Sequence, residues 1–228
     1  MADGRLLRIL TQLEHGGPDP AGLCEVCADV TAMTGAGIML MSGDVRRGSV
    51  CSSNEVSALV EDLQYTFGEG PCIDAYEQDR PILEPDLAGT GANRWVAFTP
   101  EAVAAGARAI FGFPLRVGAV RLGALNLYRD RPGPLLDDQH ADALVLAGVA
   151  ARAVLSMQAG AAPGALGAAL EAGTDFRFVV HQASGMVSAQ LDVSVGEALI
   201  RLRAHAFASQ RSLTEVARDV VACRLRLS

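Results

Sequence analysis

The chain has no lysine, and all 19 of its Lys-plus-Arg residues are arginine. Mechanisms that need a lysine amine are therefore excluded. These include a P-loop phosphate clamp, a Schiff base and a kinase-type ATP site.

Cysteine is also sparse, with five residues in 228. Their number is odd and their spacing does not match a disulfide framework. Cys24 and Cys27 form a C-x-x-C inside a helical pattern without a second cysteine or histidine pair, so we interpret them as buried structural thiols. The four histidines lie far apart without metal-ligand spacing, which predicts no metal site.

Long hydrophobic runs are missing as well. The longest nearly uncharged apolar run, 143–155, is too short to span a bilayer. The N-terminal stretch MADGRLLRIL has no long apolar segment after its charges. We therefore expect a cytoplasmic protein with no membrane contact.

Half of the residues are hydrophobic, which is enough for a substantial core. The net charge of −7 is unevenly spread. Residues 1–173 carry 12 arginines against 21 acidic residues, whereas residues 174–228 carry 7 arginines against 5. A weakly basic tail on an acidic body points to a polyanionic partner.

The stretch QAGAAPGALGAALEAGTD, residues 158–175, is rich in small residues and contains a Pro-Gly pair. We interpret it as a hinge between a first domain, 1–157, and a tail domain, 176–228. In the first domain, helical and strand patterns alternate, which predicts an α+β fold with an antiparallel sheet flanked by helices. The predicted elements are helices over 21–34 and 54–66, strands over 37–41 and 48–52, a hairpin within 108–130, and a helix opened by Asp137.

The helix after Asp137 is apolar on every side over 143–155, apart from Arg152. A helix of this kind must be covered on every side. One face can pack on the sheet, so we expect the other to form the seam of a homodimer.

The tail pattern predicts three short amphipathic helices. Two capping boxes, Ser194 to Glu197 and Ser212 to Glu215, each precede an apolar stripe at helical spacing. Gly185 falls in the middle of the first helix, where it costs about 1 kcal/mol relative to alanine. We expect close approach of a neighbouring helix at this glycine.

The tail resembles the ANTAR family, whose three-helix module binds RNA in transcription antitermination. The resemblance rests on H-Q-A-S-G-M-V, on an S-x-x-E-A-L-x-x-L-R helix and on S-L-T-E-V-A-R-D-V-V, and it covers about residues 176–226. It implies RNA contacts through Gln182 and Arg203. Ser184 stands where many members have lysine or arginine. With the arginines that lie off the apolar stripes, the predicted RNA-binding residues are Gln182, Ser184, Arg201, Arg203, Arg211 and Arg218.

Residues 20–157 resemble a GAF domain, a small-molecule sensor that is often dimeric. The matching segments are FGEGPCIDAY, PILEPDLA, RWVAFTPEA and FPLRVGAVRLGALNLYR. The signature of cyclic-nucleotide-binding GAF domains includes a lysine, so it is missing here. A ligand pocket is expected at Cys72, Asp74, Trp95 and Phe111. The identity of the ligand and of any cofactor stays open.

These resemblances predict a homodimeric, non-enzymatic regulator that binds hairpins in nascent RNA and acts on RNA polymerase through the transcript. Two alternatives stay open. A DNA-binding regulator would also suit three helices with arginines on the second and third, although the turn at 208–212 lacks the usual glycine. A GAF-type thiol enzyme resembling the free methionine-R-sulfoxide reductase would use Cys72 at a helix start, with Cys51 as its nearest partner.

Overall fold

A computed structural model of the protein describes residues 20–42, 45–89, 94–160, 175–209, 211 and 213–227. The chain divides into two compact units, residues 1–163 and 164–228. The first three residues of the predicted hinge belong to the helix that ends at Gly160, and 161–174 lie outside the described residues.

The first unit is built on a five-stranded sheet in the order β2-β1-β5-β4-β3, in which every pair is antiparallel. The prediction of an antiparallel sheet flanked by helices is therefore confirmed. The strands are β1 (Gly35–Ser42), β2 (Val45–Ser52), β3 (Ile82–Glu84), β4 (Ala109–Val117) and β5 (Val120–Arg129). The helices are α1 (Pro20–Thr31), α2 (Glu55–Phe67), α3 (Pro71–Gln78), α4 (Phe98–Ala104) and α5 (Asp137–Gly160).

The central hairpin β4–β5 agrees with the predicted alternation. Phe111, Phe113 and Leu115 are fully buried on one face of the sheet. Gly118 adopts a positive φ of 58° in the turn, which glycine does at little cost. Val117 was expected on the same face, but it is 37% exposed because the register shifts between Leu115 and Arg116.

Helices α1 and α5 cover this face and form the larger apolar core with it. The core includes Cys24 and Cys27, both fully buried. Cys27 is a free thiol, as predicted, and burial raises its pKa to about 12. The prediction for Cys24 was wrong, since it forms a disulfide with Cys51 of β2. Pairing across 27 residues depends on the packing of α1 over β2, which spacing does not reveal.

Helices α2 and α3 cover the opposite face, and two strand glycines let them approach closely. A Cβ on Gly37 would collide with the Glu61 carboxylate of α2, and one on Gly112 would lie 2.5 Å from the Pro71 carbonyl oxygen of α3. Asn54 caps α2: its Oδ1 accepts from the Ser57 backbone N–H at 2.8 Å. This face therefore brings polar helix residues directly onto the strands.

Helix α5 begins at Asp137 as predicted. Its inner face packs on the sheet through Ala143, Leu146 and Ala150, which are fully buried. Among the described residues, α5 is the one helix long and apolar enough to cross a membrane, over Asp137–Met157, and 39% of that window is buried inside the protein. The prediction that this segment is too short to span a bilayer was based on residues 143–155 alone, whereas the helix is longer than that run.

The described part of the second unit contains three helices, α6 (Asp175–Leu191), α7 (Val195–Ala208) and α8 (Leu213–Val221), which confirms the helical prediction for the tail. Ser194 caps α7, and its Oγ accepts from the Glu197 backbone N–H at 3.1 Å. Ser212, of the second predicted capping box, lies outside the described residues. The core of this unit consists of Val180, Ala183, Val187, Ala198, Leu202, Ala206, Leu213, Val216, Ala217 and Val220.

The expectation for Gly185 was wrong. This glycine is exposed on α6, and a Cβ added there would meet nothing within 4 Å. Because no described helix of this unit approaches it, the packing of the described residues does not require a glycine at this position.

Candidate functional site

A buried polar cluster occupies the sheet face beneath α2 and α3. It consists of Glu61 and Gln64 of α2, Cys72 of α3 and Asn126 of β5, all with no exposed surface. The Cys72 backbone N–H donates to Gln64 Oε1 at 2.7 Å. Glu61 Oε2 accepts from Ser52 Oγ at 3.3 Å. The first turn of α3 is thus attached to α2 inside the protein.

Asn126 faces the same cluster. Its register partners are Gly37 on β1 and Gly112 on β4. Directly opposed residues in an antiparallel sheet point to the same face, and the absent side chains of both glycines would point at α2 and α3. The Asn126 amide therefore lies between two glycines, under the helices.

Several polar atoms of this cluster have no protein partner among the described residues. They are Gln64 Nε2 and both amide atoms of Asn126. A buried amide without a hydrogen bond costs free energy, about 1–3 kcal/mol in mutational data. The cluster thus contains two amide donors and one amide acceptor that no described residue satisfies. Sequence reasoning missed Gln64 and Asn126. The available signal for Asn126 was an asparagine inside the apolar strand segment LGALNLY.

Cys72 does not have the environment expected of a catalytic thiol. Burial, followed by the negative charge of Glu61, raises its pKa above the ordinary value, and the hydrogen bond with Gln64 opposes this only in part. A start at the N-terminus of α3 was expected to favour the thiolate, but desolvation outweighs it. Cys51, the expected partner, is bonded to Cys24 instead.

The other predicted pocket residues divide between two places. Asp74 Oδ2 accepts from Arg94 Nη2 at 3.0 Å and from Trp95 Nε1 at 3.3 Å. Trp95 is almost fully buried, and the Arg94 guanidinium stacks over its ring at 4.6 Å. Asp74 and Trp95 thus fix the start of the segment leading to α4. Phe111 was placed wrongly, because it belongs to the core beneath α1 and α5 on the opposite face of the sheet.

In the tail, the structure separates the predicted residues of α6. Gln182 is exposed. Ser184 is 1% exposed, and its hydroxyl donates to the Val180 carbonyl at 2.8 Å. The prediction that Ser184 contacts RNA is therefore corrected, since its polar group is satisfied within its own helix.

The predicted arginines differ in how they are held. Arg201 is exposed and pairs with Glu197 one turn earlier, at 2.8 Å. Arg203 is half-buried. Arg218 is exposed and makes no ion pair within the described part of the chain. Surface pairs of this type contribute little to stability, so these guanidiniums can exchange partners readily.

Asp219 holds two arginines at once. Its Oδ2 accepts from Arg211 at 2.6 Å and its Oδ1 from Arg224 at 2.8 Å. These hydrogen bonds, to Arg211 first and then to Arg224, lower the pKa of Asp219 below its ordinary value. The carboxylate therefore neutralises part of the basic charge at both ends of α8.

Helix α7 also exposes two large apolar side chains that sequence reasoning did not assign. Ile200 is 62% exposed and Phe207 is 65% exposed. They lie seven residues apart, so they share one helix face that is distinct from the buried stripe of Ala198, Leu202 and Ala206. Their position off that stripe was the available signal.

The described residues form an α+β domain followed by a small helical unit. Family comparison agrees: residues 21–156 match the GAF domain and residues 168–221 match the ANTAR domain. The chain belongs to the GAF domain family and carries an ANTAR domain after it. No curated protein sequence matches the chain.

Solved structures similar to this chain include two GAF domains of phosphoenolpyruvate-protein phosphotransferases. The one from Coxiella burnetii is 15% identical, with a TM-score of 0.54 over 69% of this chain and 95% of its own. The one from Acinetobacter is 13% identical, with a TM-score of 0.52 over 70% and 96%. A type II free methionine-R-sulfoxide reductase from Thermoplasma acidophilum is 14% identical, with a TM-score of 0.47 over 63% and 94%. At these identities the likeness concerns the fold alone.

Proposed function

We propose that this chain is a signal-responsive RNA-binding regulator that promotes transcription antitermination. In this proposal residues 1–157 sense a signal, residues 158–175 form a hinge, and residues 176–228 hold stem-loops of the nascent transcript. RNA polymerase is affected indirectly, because a held stem-loop prevents the terminator hairpin from forming. The observation that carries the proposal is the ANTAR match at 168–221 on a three-helix unit with exposed guanidiniums.

Hairpin loops suit this surface better than a regular duplex. Loop bases are unstacked, and arginine planes can stack on them and hydrogen-bond to their edges. Gln182, Arg201, Arg211 and Arg218 are exposed. Arg203 is half-buried and supplies a further guanidinium on α7. With few cations per unit the affinity of one copy is modest, and two linked copies gain through effective concentration.

The second copy is proposed to dock on the outer face of α5. On this face Leu144 is 47% exposed, and a Cβ on Gly148 would meet nothing within 4 Å. Val145 and Val149 are only partly buried. An apolar face this long on an otherwise acidic unit favours a second identical face, so we propose a homodimer in the cytoplasm.

The sensor ligand is proposed to be a small polar molecule bound at the cluster of Gln64, Cys72 and Asn126. The side-chain amides of Gln64 and Asn126 have polar atoms for which the described residues supply no hydrogen-bond partner. A protonated, buried Cys72 serves as a wall of this site and not as a nucleophile, which supports a non-enzymatic role. If the purified protein reduced methionine sulfoxide, and Cys72→Ser abolished this activity, the thiol-enzyme alternative would replace this part of the proposal.

The function is tested by binding and by transcription. The full-length protein is titrated against RNA hairpins with randomised loops and against duplex DNA of matched length, at several salt concentrations. We expect preference for hairpins and an affinity that falls steeply with salt, because phosphate contacts release counterions. The selected hairpin is then placed before a terminator, and readthrough should rise when the protein is added.

The DNA-binding alternative makes the opposite prediction. Tighter binding to the duplex than to any hairpin of the library would favour it. The absence of salt-sensitive binding to both nucleic acids would refute the proposal as a whole.

A further inference from the structure

The proposed RNA surface contains an exposed aromatic ring as well as cations. On α7, Ile200, Arg203, Ala204 and Phe207 follow one another at spacings of three and four residues, so they lie on one helix face. Phe207 is 65% exposed, although a phenylalanine of a helical bundle ordinarily fills the core. The described part of this unit therefore leaves the Phe207 ring largely uncovered.

Small residues leave the ring accessible. Ala204 and Ala208 beside Phe207 are exposed and end at Cβ, so they cover little of it. Arg203 is half-buried one turn earlier, and Arg211 follows after the turn. An exposed aromatic ring on a helix that also carries arginines has the composition of a stacking platform for an unpaired base, with cations for the adjacent phosphates.

We infer that Phe207 stacks on an unpaired base of the bound RNA loop, with Ile200 and Arg203 completing that subsite on α7. This inference rests on the proposed function and assigns the base-contacting residue of the same surface. The arginines supply contacts that every RNA shares, whereas the ring requires a base that is free to leave its neighbours. Phe207 should therefore make the protein prefer loops to stems.

The charge of the tail and the chemistry of the ring both favour an RNA base as the group that contacts Phe207. Residues 174–228 carry an excess of arginines over acidic residues on a chain that is otherwise acidic. A purely apolar partner would not need the cations beside the ring. A second copy of α7 would bring the same guanidiniums face to face, which is unfavourable.

The test uses the full-length chain and the best hairpin from the randomised-loop library. Phe207→Leu keeps apolar bulk but removes the π face, Phe207→Tyr keeps the π face, and Val195→Ala alters an exposed apolar residue at the far end of α7. We expect Phe207→Leu to lose about 5- to 150-fold in affinity, which corresponds to about 1–3 kcal/mol of base–aromatic stacking. Phe207→Tyr and Val195→Ala should bind like the wild type.

A fluorescent base supplies a direct readout of stacking. 2-Aminopurine is placed in turn at each loop position of the selected hairpin, and its emission is recorded on binding. We expect quenching at one position with the wild type and with Phe207→Tyr, and loss of that quenching with Phe207→Leu. Thermal melting of each variant, read by circular dichroism, confirms that the helices remain folded.

The outcomes separate this inference from the proposed function. If the wild type binds hairpins and Phe207→Leu binds and quenches equally well, the ring does not stack and the inference is overturned. If Phe207→Leu changes the oligomeric state and leaves RNA affinity intact, the face is covered by a second copy, which also overturns it. If the wild type binds no hairpin at all, the proposed function fails first.

Discussion

The Sγ atoms of Cys24 and Cys51 are bonded, which ties the core helix α1 to the edge strand β2. Strand β2 is paired on one side only, with β1, and its register is interrupted twice. The disulfide therefore secures an edge strand of the sheet to the core.

Removing this bond should lower the stability of the first unit. Cys51→Ser is expected to reduce the free energy of unfolding by about 2–4 kcal/mol, because a crosslink restricts the unfolded chain. Urea denaturation of an oxidised sample measures the loss, with Cys223→Ser, at an exposed free cysteine, as the control. Equal stability of the wild type with and without a reducing agent would show that the bond contributes nothing.

Cys72 should resist alkylation across the range in which ordinary thiols ionise. Its pKa is raised by burial and by Glu61, so the group stays protonated when the pH rises from about 7 to about 9, past the usual thiol value of about 8.5. Iodoacetamide labelling with peptide mapping should label the exposed Cys223 and show a rate near zero at Cys72 throughout this pH range. Fast labelling of Cys72 in the folded protein would contradict its burial.

The dimer proposal is tested by two neighbouring leucines of α5. Leu144 is 47% exposed, whereas Leu146 is fully buried against the sheet. Leu144→Asp should dissociate the dimer in sedimentation experiments and leave the fold intact. Leu146→Asp should unfold the unit, because a charge would enter the core. A wild type that sediments as a monomer at micromolar concentration would argue against the α5 interface.

Gly185 should tolerate a side chain. Since a Cβ there meets nothing within 4 Å, Gly185→Ala is expected to stabilise the tail unit by about 0.5–1 kcal/mol through helix propensity. Thermal denaturation of the full chain measures this change. A lower melting temperature would mean that another part of the protein approaches this glycine.

Asp219→Asn should strengthen RNA binding by releasing two guanidiniums. Arg211 and Arg224 are both held by the Asp219 carboxylate. Once freed to contact phosphates, they should make the slope of log affinity against log salt steeper by about 1–2. The pKa of Asp219 is lowered in the fold. Its ion pairs are therefore fully formed at pH values above the ordinary carboxyl pKa, and they are lost only as the pH falls through the lowered pKa. An unchanged slope in Asp219→Asn would place both arginines outside the interface.

The sequence by itself determined most of the elements and the family, but it did not predict β3 or α4. Helical spacing, the Ser194 cap and the hairpin around Gly118 depend on interactions between residues a few positions apart, which the order of residues records directly. The GAF and ANTAR motifs are also local, so their recognition agrees with the family matches at 21–156 and 168–221.

The tertiary structure alone decided which residues meet. Periodicity shows that a strand has two faces, but it does not show which helices cover each face. Phe111 was therefore grouped wrongly with Cys72, although the sheet separates them. The same limit concealed the Cys24–Cys51 bond and the burial of Ser184. The cluster of Gln64, Cys72 and Asn126 arises because glycines on two strands let α2 and α3 approach the sheet, and that approach is a property of the packed protein.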